Sequence, residues 1–296
     1  ILQIGRQIFG KPTFPNAEVE GLPLPPVQLS LTSWKKQISE IRKLQLRDDD
    51  VVLCAYPKAG THWVWEVISM LLAGQADYEP RAKELLMMDV TRVSKLDKLH
   101  SPRVLNTHLP FTMLPAEQML SRRLKVVHVY RNPRDVMVSM YHHLKQFRLV
   151  GTESVHSFVK TFLAGEVIYG HYARYLNQMN RFMNENPELP IYSVSYEDMK
   201  SNATDTVRGL AEYLEVPATE VLIADIVAAC AFHKLKKVDE TKEQVTYLGF
   251  QIGQKFYRKG EVGDWENHLT EEEVEMFDRE FYKVLDNDRF QFRHKL

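Results

Sequence analysis

The stretch VVLCAYPKAGTHWVWEVISMLL, residues 51–72, decides how this chain folds. Its first six residues form a continuous apolar run that ends at Pro57, which is the pattern of a buried parallel strand. The segment WVWEVISMLL then predicts a helix that closes at Ala73-Gly74. The turn between strand and helix offers backbone N–H groups at a helix N-terminus, a geometry that binds phosphate or sulfate.

The turn YPKAGTHW, residues 56–63, differs from the usual nucleotide loop. That loop reads G-x-x-x-x-G-K-[ST], with its lysine after the glycine, whereas here Lys58 precedes Gly60. Gly60 admits close backbone approach to an anion, Thr61 supplies a hydroxyl and Lys58 neutralises charge. An ordinary strand–turn–helix joint with a surface lysine has the same pattern, so the short motif alone leaves both interpretations open.

Alternating strands and helices continue along the chain. The predicted strands are 51–56, 104–107, 124–131 and 191–196. The predicted helices are 33–46, 63–72, 132–143, 153–185 and 202–214. This order indicates an α/β fold, in one domain of residues 1–296, with a central, mostly parallel β-sheet and helices on both faces. Residues 1–26 contain several prolines and glycines, and they are predicted to be an extended lead-in.

The overall composition excludes several classes of partner. The chain has 296 residues and a net charge of −1, which gives no general reason to expect nucleic acid or an anionic membrane. No stretch reaches the roughly 18 apolar residues that span a membrane. Cys54 and Cys230 are too few for a disulfide framework and indicate buried thiols in a reducing compartment, so a cytoplasmic location is expected. The missing initiator Met suggests a trimmed chain.

Ligands of such sheets bind at the carboxyl ends of the strands, and those ends carry basic or hydroxyl residues here. His108 follows the second strand and can remove a proton from a hydroxyl group, although lone histidines are more often structural. Arg131 ends the third strand, and Ser139 lies two turns into the next helix. They suit a second phosphate, unless Arg131 simply pairs with Asp135.

Two further features fit an anionic nucleotide. The C-terminal segment FYRKGEVGDW, residues 256–265, places Arg258 and Lys259 beside Gly260 in a predicted loop, where they can close over a phosphate. Such runs are more often solvated surface. Trp63 either stacks on a base or fills the core.

These motifs, in this order, resemble the cytosolic sulfotransferases, which use 3′-phosphoadenosine 5′-phosphosulfate (PAPS). YPKAGTHW resembles their 5′-phosphosulfate loop YPKSGTTW. YRNPRDVMVSMYH, residues 130–142, resembles their 3′-phosphate segment, and RKGEVGDW, residues 258–265, resembles their R-K-G-x-x-G-D-W block. The likeness extends from about residue 15 to the end of the chain.

The resemblance implies a role for each candidate residue. The implied contacts to the 5′-phosphosulfate are Lys58, Gly60, Thr61 and His62, with Ala59 in the same loop. The implied contacts to the 3′-phosphate are Arg131, Ser139, Arg258, Lys259 and Gly260. The implied contacts to the adenine are Trp63, Tyr196 and Phe232, with Cys230 facing the nucleotide. His108 matches the catalytic base, and no metal is expected.

The implied reaction is in-line transfer of a sulfuryl group to the hydroxyl or amine of a small, mostly apolar acceptor. His108 takes the acceptor proton, while Lys58 stabilises the charge on the leaving phosphate oxygen. Phenols are the first choice of acceptor and hydrophobic alcohols the second. The acceptor pocket is predicted from loops near 80–90, 142–150 and 240–252.

Four residues depart from the family pattern. Ala59 replaces a serine that restrains the loop lysine, and His62 replaces a threonine, so that pH is expected to affect cofactor binding. Asn106 stands where many phenol-sulfating members have lysine, which favours a lower turnover. Cys230 replaces a hydroxyl residue, and a thiol is a weaker donor.

The family's dimer motif, K-x-x-x-T-V-x-x-x-E, is also altered. Here it reads ENHLTEEEVE, with Glu266 in place of the lysine and Glu271 in place of the valine. A self-complementary interface would bring these acids together, so the usual homodimer is predicted to be weak or absent.

Two other functions stay open beside an active sulfotransferase. One is a protein that binds PAPS, or the desulfated product PAP, with weak catalysis, which the departures at Ala59, Asn106 and Cys230 favour. The other is a nucleotide-dependent, kinase-like enzyme. The order of lysine and glycine in the loop argues against it.

Overall fold

A computed structural model describes residues 17–25, 33–146, 154–241, 245–247, 250–252 and 256–294. The strands are β1 (Ala17–Val19), β2 (Leu22–Leu24), β3 (Val51–Ala55), β4 (Val104–Thr107), β5 (Lys125–Tyr130), β6 (Ile191–Ser195), β7 (Val245–Tyr247) and β8 (Phe250–Ile252). The α-helices are α1 (Trp34–Ile41), α2 (Thr61–Ala73), α3 (Val93–Leu96), α4 (Ala116–Ser121), α5 (Pro133–Gln146), α6 (Val155–Ala164), α7 (Tyr172–Glu185), α8 (Tyr196–Ser201), α9 (Ala203–Leu214), α10 (Glu220–Ala229), α11 (Phe232–Asp239) and α12 (Glu271–Val284). The 3₁₀ helices are Lys83–Leu86, Phe111–Met113 and Asp264–Asn267.

The central sheet has four parallel strands in the order β4-β3-β5-β6. Strand β3 lies between β4 and β5, and all five of its residues are buried. A strand with neighbours on both edges and helices on both faces is apolar at every position, which explains the continuous run VVLCA. The predicted α/β fold with a mostly parallel sheet is therefore confirmed.

The two faces of the sheet pack into separate hydrophobic cores. Val52 and Cys54 of β3 belong to one core, while Val51, Leu53 and Ala55 belong to the other, as the two-residue period of a strand requires. Residues of α5, α6, α7 and α12 fill the first core. Residues of α2, α9 and α10 fill the second. Because alternate strand residues face opposite sides, each face of the sheet packs against its own layer of helices.

Two segments differ from the sequence prediction. The helix predicted over 153–185 is two helices, because α6 ends at Gly165, whose φ of +73° stops the helical backbone. Residues 17–24 of the predicted lead-in form a hairpin in which β1 and β2 pair antiparallel and Leu24 is buried. The preceding residues of the lead-in lie outside the described part of the chain.

None of the helices described combines the length and the hydrophobicity that crossing a bilayer requires.

Candidate active site

The carboxyl ends of β3, β4 and β5 meet at one cleft with about 1430 Å³ of empty space, part of it open to solvent. This cleft brings together most of the residues predicted from sequence. Those that line it are Lys58, Gly60, Thr61, His62, Trp63, His108, Arg131, Ser139, Tyr196, Phe232, Arg258, Lys259 and Gly260. Residues that are up to about 200 positions apart in sequence therefore share one site.

Ala59 and Cys230 are not among the residues that line the cleft. Ala59 is fully buried in the core beneath α2. Cys230 is also buried, with its Sγ 3.8 Å from Sδ of Met70. Both side chains pack in the protein interior, and a contact of either with a nucleotide stays a prediction.

The loop between β3 and α2 has the backbone geometry of an anion cradle. Lys58 and Gly60 have φ angles of +70° and +111°, and Gly60 caps α2 without a side-chain hydrogen bond. A Cβ atom on Gly60 would lie 2.7 Å from Cδ2 of Tyr196, so only glycine fits there. The N–H groups in the first turn of a helix have no intrahelical acceptor, which makes this N-terminus suited to an anion.

Lys58 extends into the cleft beside a neutral partner. Its Nζ donates to Nδ1 of His143 at 3.4 Å and lies 5.6 Å from the centre of the Phe256 ring. Burial, followed by the positive charge of Arg131, lowers the pKa of Lys58 to about 8. The Lys58 side chain is therefore mostly a cation at neutral pH. Within the described part of the chain, no carboxylate lies at hydrogen-bond distance from its Nζ.

His62 lines the cleft and is held there by a carboxylate. Its Nε2 lies 2.7 Å from Oε1 of Glu84, and its ring stacks on Phe256 with centroids 4.3 Å apart. Burial lowers the pKa of His62 to about 4, so that a neutral imidazole donates to Glu84. Its titration lies well below neutral pH.

His108 has the tautomer of a general base. Its Nδ1 lies 2.6 Å from the carbonyl oxygen of Ala55, so Nδ1–H donates there and Nε2 carries the free lone pair. Burial, followed by the positive charge of Lys83, lowers the pKa of His108 to about 3. The imidazole is therefore neutral at pH 7.

A buried carboxylate fixes the backbone beside His108. Asp89 accepts hydrogen bonds from the hydroxyl of Thr107, from the backbone N–H of His108 at 3.0 Å and from the hydroxyl of Tyr169 at 2.9 Å. The ring of Tyr169 also meets the imidazole of His108 edge-on, with centroids 5.3 Å apart. These contacts define the position of the imidazole without using its Nε2.

At the end of β5, Arg131 is held by stacking and by a carbonyl. Its guanidinium lies 4.0 Å from the centre of the Tyr196 ring, and Nη2 donates to the carbonyl oxygen of Glu261 at 2.9 Å. Nη2 of Arg131 also lies 3.7 Å from Oδ2 of Asp135, which is within ion-pair distance. The Nε of Arg131 is buried without a partner in the described residues, so it is a donor ready for an anion. Ser139 lines the cleft two turns further along α5.

The C-terminal loop holds its two cations on one carboxylate. Arg258 and Lys259 both donate to Asp264, with the lysine Nζ 2.6 Å from Oδ1. Burial raises the pKa of Asp264, but the hydrogen bonds from Lys259 and Arg258 outweigh it and hold that pKa well below its usual range. Gly260 has a φ of +71°, and a Cβ there would lie 2.1 Å from Cδ2 of Phe232. The glycine lets the loop close onto this ring.

Aromatic rings form one wall of the cleft. Trp63 meets Tyr196 edge-on at a centroid distance of 5.6 Å, and Phe232 meets Tyr257 in the same way at 5.9 Å. The indole Nε1 of Trp63 is buried without a hydrogen-bond partner in the described residues. Such a wall suits the flat face of a nucleobase.

The sequence prediction missed three charged residues of the cleft: Glu261 in the C-terminal loop, and Lys83 and Glu84, which lie on the 3₁₀ helix Lys83–Leu86. This segment has no regular hydrophobic period and no motif, so it gave no signal in the sequence beyond lying within the loop predicted near 80–90. That loop also contributes Met87 and Val90 to the cleft. Of the other predicted acceptor loops, 147–150 lies outside the described residues, and so do most side chains of 240–252.

Among the described residues, no group of three histidine, cysteine, aspartate or glutamate side chains is arranged to hold a metal ion.

Comparisons with known proteins give one consistent result. A model of the sulfotransferase domain matches residues 48–288. Sulfotransferase 1E1 of Bos taurus is 29% identical, over 97% of this chain and 99% of its own length. Sulfotransferase 6B1 of Danio rerio is 30% identical, over 86% of this chain and 85% of its own. In fold, the chain is similar to the crystal structure of mouse sulfotransferase SULT7A1 complexed with PAP, with a TM-score of 0.70, 24% identity, and coverage of 91% of this chain and 94% of that one.

Proposed function

This chain belongs to the sulfotransferase family, and from that premise we propose that it transfers a sulfuryl group from PAPS to the hydroxyl or amine of a small acceptor. One observation carries the proposal. Lys58 and a neutral His108, whose Nδ1 is bonded to Ala55, line the same cleft as the Gly60 anion cradle. A cation, a base and an anion site are the parts that this reaction needs.

The residues of the cleft fit the donor molecule. The N-terminus of α2, with Lys58 and Thr61, would hold the 5′-phosphosulfate. Arg131, whose Nε is buried without a partner in the described residues, would hold the 3′-phosphate together with Ser139 and the Arg258 loop. The aromatic wall of Trp63, Tyr196 and Phe232 would hold the adenine. Glycine at positions 60 and 260 leaves the space that a Cβ would fill.

When bound, PAPS supplies the sulfuryl group: its sulfur–oxygen bond to the 5′-phosphate breaks as the bond from the acceptor oxygen to sulfur forms. His108 accepts the acceptor's proton at Nε2, because Nδ1–H is committed to Ala55. Lys58 places its ammonium where negative charge builds on the leaving phosphate. Positioning and electrostatic stabilisation supply the acceleration, and no covalent intermediate with the chain is needed.

The apolar part of the cleft lining favours an apolar acceptor. Met87, Val90, Ile168, Tyr169 and Phe256 contribute apolar or aromatic surface to it. Such a lining with one basic nitrogen suits a small phenol, whose ring packs on the wall while its hydroxyl meets His108. Hydrophobic alcohols are the second class.

Transfer of label from ³⁵S-PAPS to a panel of phenols and alcohols tests the function. The His108→Ala variant should lose about 10²–10⁴-fold in kcat and keep its affinity for PAP, since His108 contacts the acceptor. His100→Ala, at an exposed position, is the control. No labelled product from any acceptor, alongside tight binding of PAP, would favour a nucleotide-binding role. Wild-type turnover in His108→Ala would remove His108 as the base.

We also propose that this chain is a single-domain cytoplasmic protein and that it does not form the family's usual dimer. In the altered dimer segment, Thr270 caps α12 through a capping box with Glu273: Glu273 N–H donates to Thr270 Oγ1 at 3.3 Å, and Thr270 N–H donates to Glu273 Oε2 at 2.9 Å. The acidic first turn thus complements its own helix N-terminus. Light scattering at micromolar concentration should give the monomer mass, and a dimer through this segment would contradict the proposal.

A further inference from the structure

Lys83 is a buried cation whose partner is neutral. Only 3% of the residue is exposed, and Nζ donates to Oδ1 of Asn106 at 2.8 Å. The nearby carboxylates are engaged elsewhere, since Glu84 accepts from His62 and Asp89 accepts from the backbone and hydroxyl groups beside His108. An ammonium kept from water without a bonded carboxylate is costly.

The position of Lys83 is fixed by its attachment to β4. The side-chain Nδ2 of Asn106 donates to the carbonyl oxygen of Leu86 at 3.2 Å, which turns the amide so that Oδ1 faces Lys83. The backbone N–H of Met88 donates to the carbonyl oxygen of Asn106 at 2.9 Å, and Met87 pairs with Asn106 in a parallel bridge. The 3₁₀ helix is therefore held in register with β4, which ends one residue before His108.

This attachment keeps Lys83 in the same cleft as the residues assigned to the reaction. Asn106 lies in β4, and His108 follows the last residue of that strand. Lys83, Lys58 and His108 all line the cleft. The charge of Lys83 also contributes more to lowering the pKa of His108 than that of any other side chain.

Among the described residues, no carboxylate is hydrogen-bonded to the ammonium of Lys83. Burial lowers the pKa of Lys83, and the negative charges of Glu84 and Asp89 oppose that shift without bonding the ammonium. An anionic group that enters between Lys58 and Lys83 would offset the desolvation of both cations.

We propose that Lys83 is the second cation of the transfer site and contacts the oxygens of the sulfuryl group, an inference that rests on the function proposed above. Asn106 stands where many relatives have lysine, and Lys83 brings an ammonium to the side chain of Asn106 from a different element. Lys83 forms and breaks no covalent bond in the reaction. It stabilises negative charge on the sulfuryl oxygens while Lys58 does so on the leaving oxygen.

The test compares PAPS, which carries the sulfuryl group, with PAP, which lacks it. Lys83→Gln keeps an N–H donor for Asn106 and removes the charge. We expect it to raise the Kd for PAPS about tenfold, to leave the Kd for PAP within about twofold and to lower kcat about 100-fold. Lys95→Gln, at an exposed position on α3, is the matched control and should match the wild type in all three.

A rescue variant separates charge from structure. In Lys83→Gln/Asn106→Lys, the cation returns from β4 itself, and we expect it to recover at least about tenfold of the lost kcat. No recovery would overturn the inference, because the loss would then have a cause other than charge. Equal weakening of PAPS and PAP in Lys83→Gln, with a lower Tm, would likewise show a structural role and overturn it.

The two proposals fail in different ways. If the wild type forms sulfated product and Lys83→Gln matches it in kcat and in both Kd values, only the role of Lys83 is wrong. If the wild type binds neither PAPS nor PAP, the proposed function itself is wrong, and the role of Lys83 is overturned with it.

Discussion

The two ends of the cleft hold their cations in different ways. At the α2 end, the ammonium groups of Lys58 and Lys83 donate to neutral side chains, an imidazole and an amide. At the C-terminal loop, Arg258 and Lys259 donate to a shared carboxylate, Asp264. Lys83 is buried, Lys58 and Arg258 are half-buried, and Lys259 is exposed.

A neutral partner and a carboxylate partner have different consequences for an incoming anion. A carboxylate positions a cation before the ligand arrives but offsets part of its charge, so such a cation serves mainly to bind and orient. A neutral partner does not offset the charge of the cation, so the full charge acts on the ligand. It also does not oppose the lowering of the cation's pKa by burial, and the pKa of Lys58 is accordingly about 8. We therefore expect the α2 end to control the rate and the C-terminal loop to control affinity.

The largest expected effect is at Lys58. Lys58→Gln should lower kcat by about 10²–10³-fold, because it removes a charge that acts on the leaving oxygen in a site partly closed to water. The Kd for PAP, measured by calorimetry, should change only a few-fold. If this variant weakened PAP binding strongly and left kcat unchanged, Lys58 would behave like the cations of the C-terminal loop, and the contrast between the ends would be wrong.

The opposite pattern is expected at Arg258. Arg258→Gln should raise the Kd for PAP about 10–100-fold, because a charge-assisted hydrogen bond contributes about 1.5–3 kcal/mol. At saturating PAPS, kcat should stay within a few-fold of the wild type. Arg279→Gln, at an exposed position on α12, is the control, and a loss of kcat as large as that of Lys58→Gln would contradict the division of roles.

The sequence predicts one side of this contrast better than the other. The strand ends and the motifs locate Lys58, Arg258 and Lys259, because local patterns determine β3 and the loops. The partners of the cations arise from tertiary packing: nothing near Lys58 in sequence indicates His143, and nothing near Asn106 indicates Lys83. The strand order β4-β3-β5-β6, which brings the 3₁₀ helix to the cleft, is likewise a property of the whole fold.

The contrast also predicts a difference in pH dependence. Lys58 has its pKa lowered to about 8, and only its protonated form attracts the phosphosulfate. The Kd for PAPS should therefore rise a few-fold between pH 7 and pH 9, as the charged fraction of Lys58 falls from about nine-tenths to about one-tenth. Binding of adenosine 3′-monophosphate, which reaches the carboxylate-held cations and carries no 5′ anion, should stay nearly constant over that range. Equal pH profiles for the two ligands would remove the distinction.

The smallest expected effect tests the neutral partner itself. Ala59 stands where the motif YPKSGTTW, which this loop resembles, has a serine, and in this chain Nδ1 of His143 accepts from Lys58 at 3.4 Å. His143→Phe keeps a ring beside Phe256 and removes that acceptor, so kcat should fall about fivefold, as expected for the loss of about 1 kcal/mol. His142→Phe changes the adjacent ring, which packs against His268, and should leave kcat unchanged. Equal losses in the two variants would mean that the ring packing of α5 matters rather than the hydrogen bond. A loss confined to His143→Phe would show that an imidazole has taken over the restraint of Lys58 without adding negative charge.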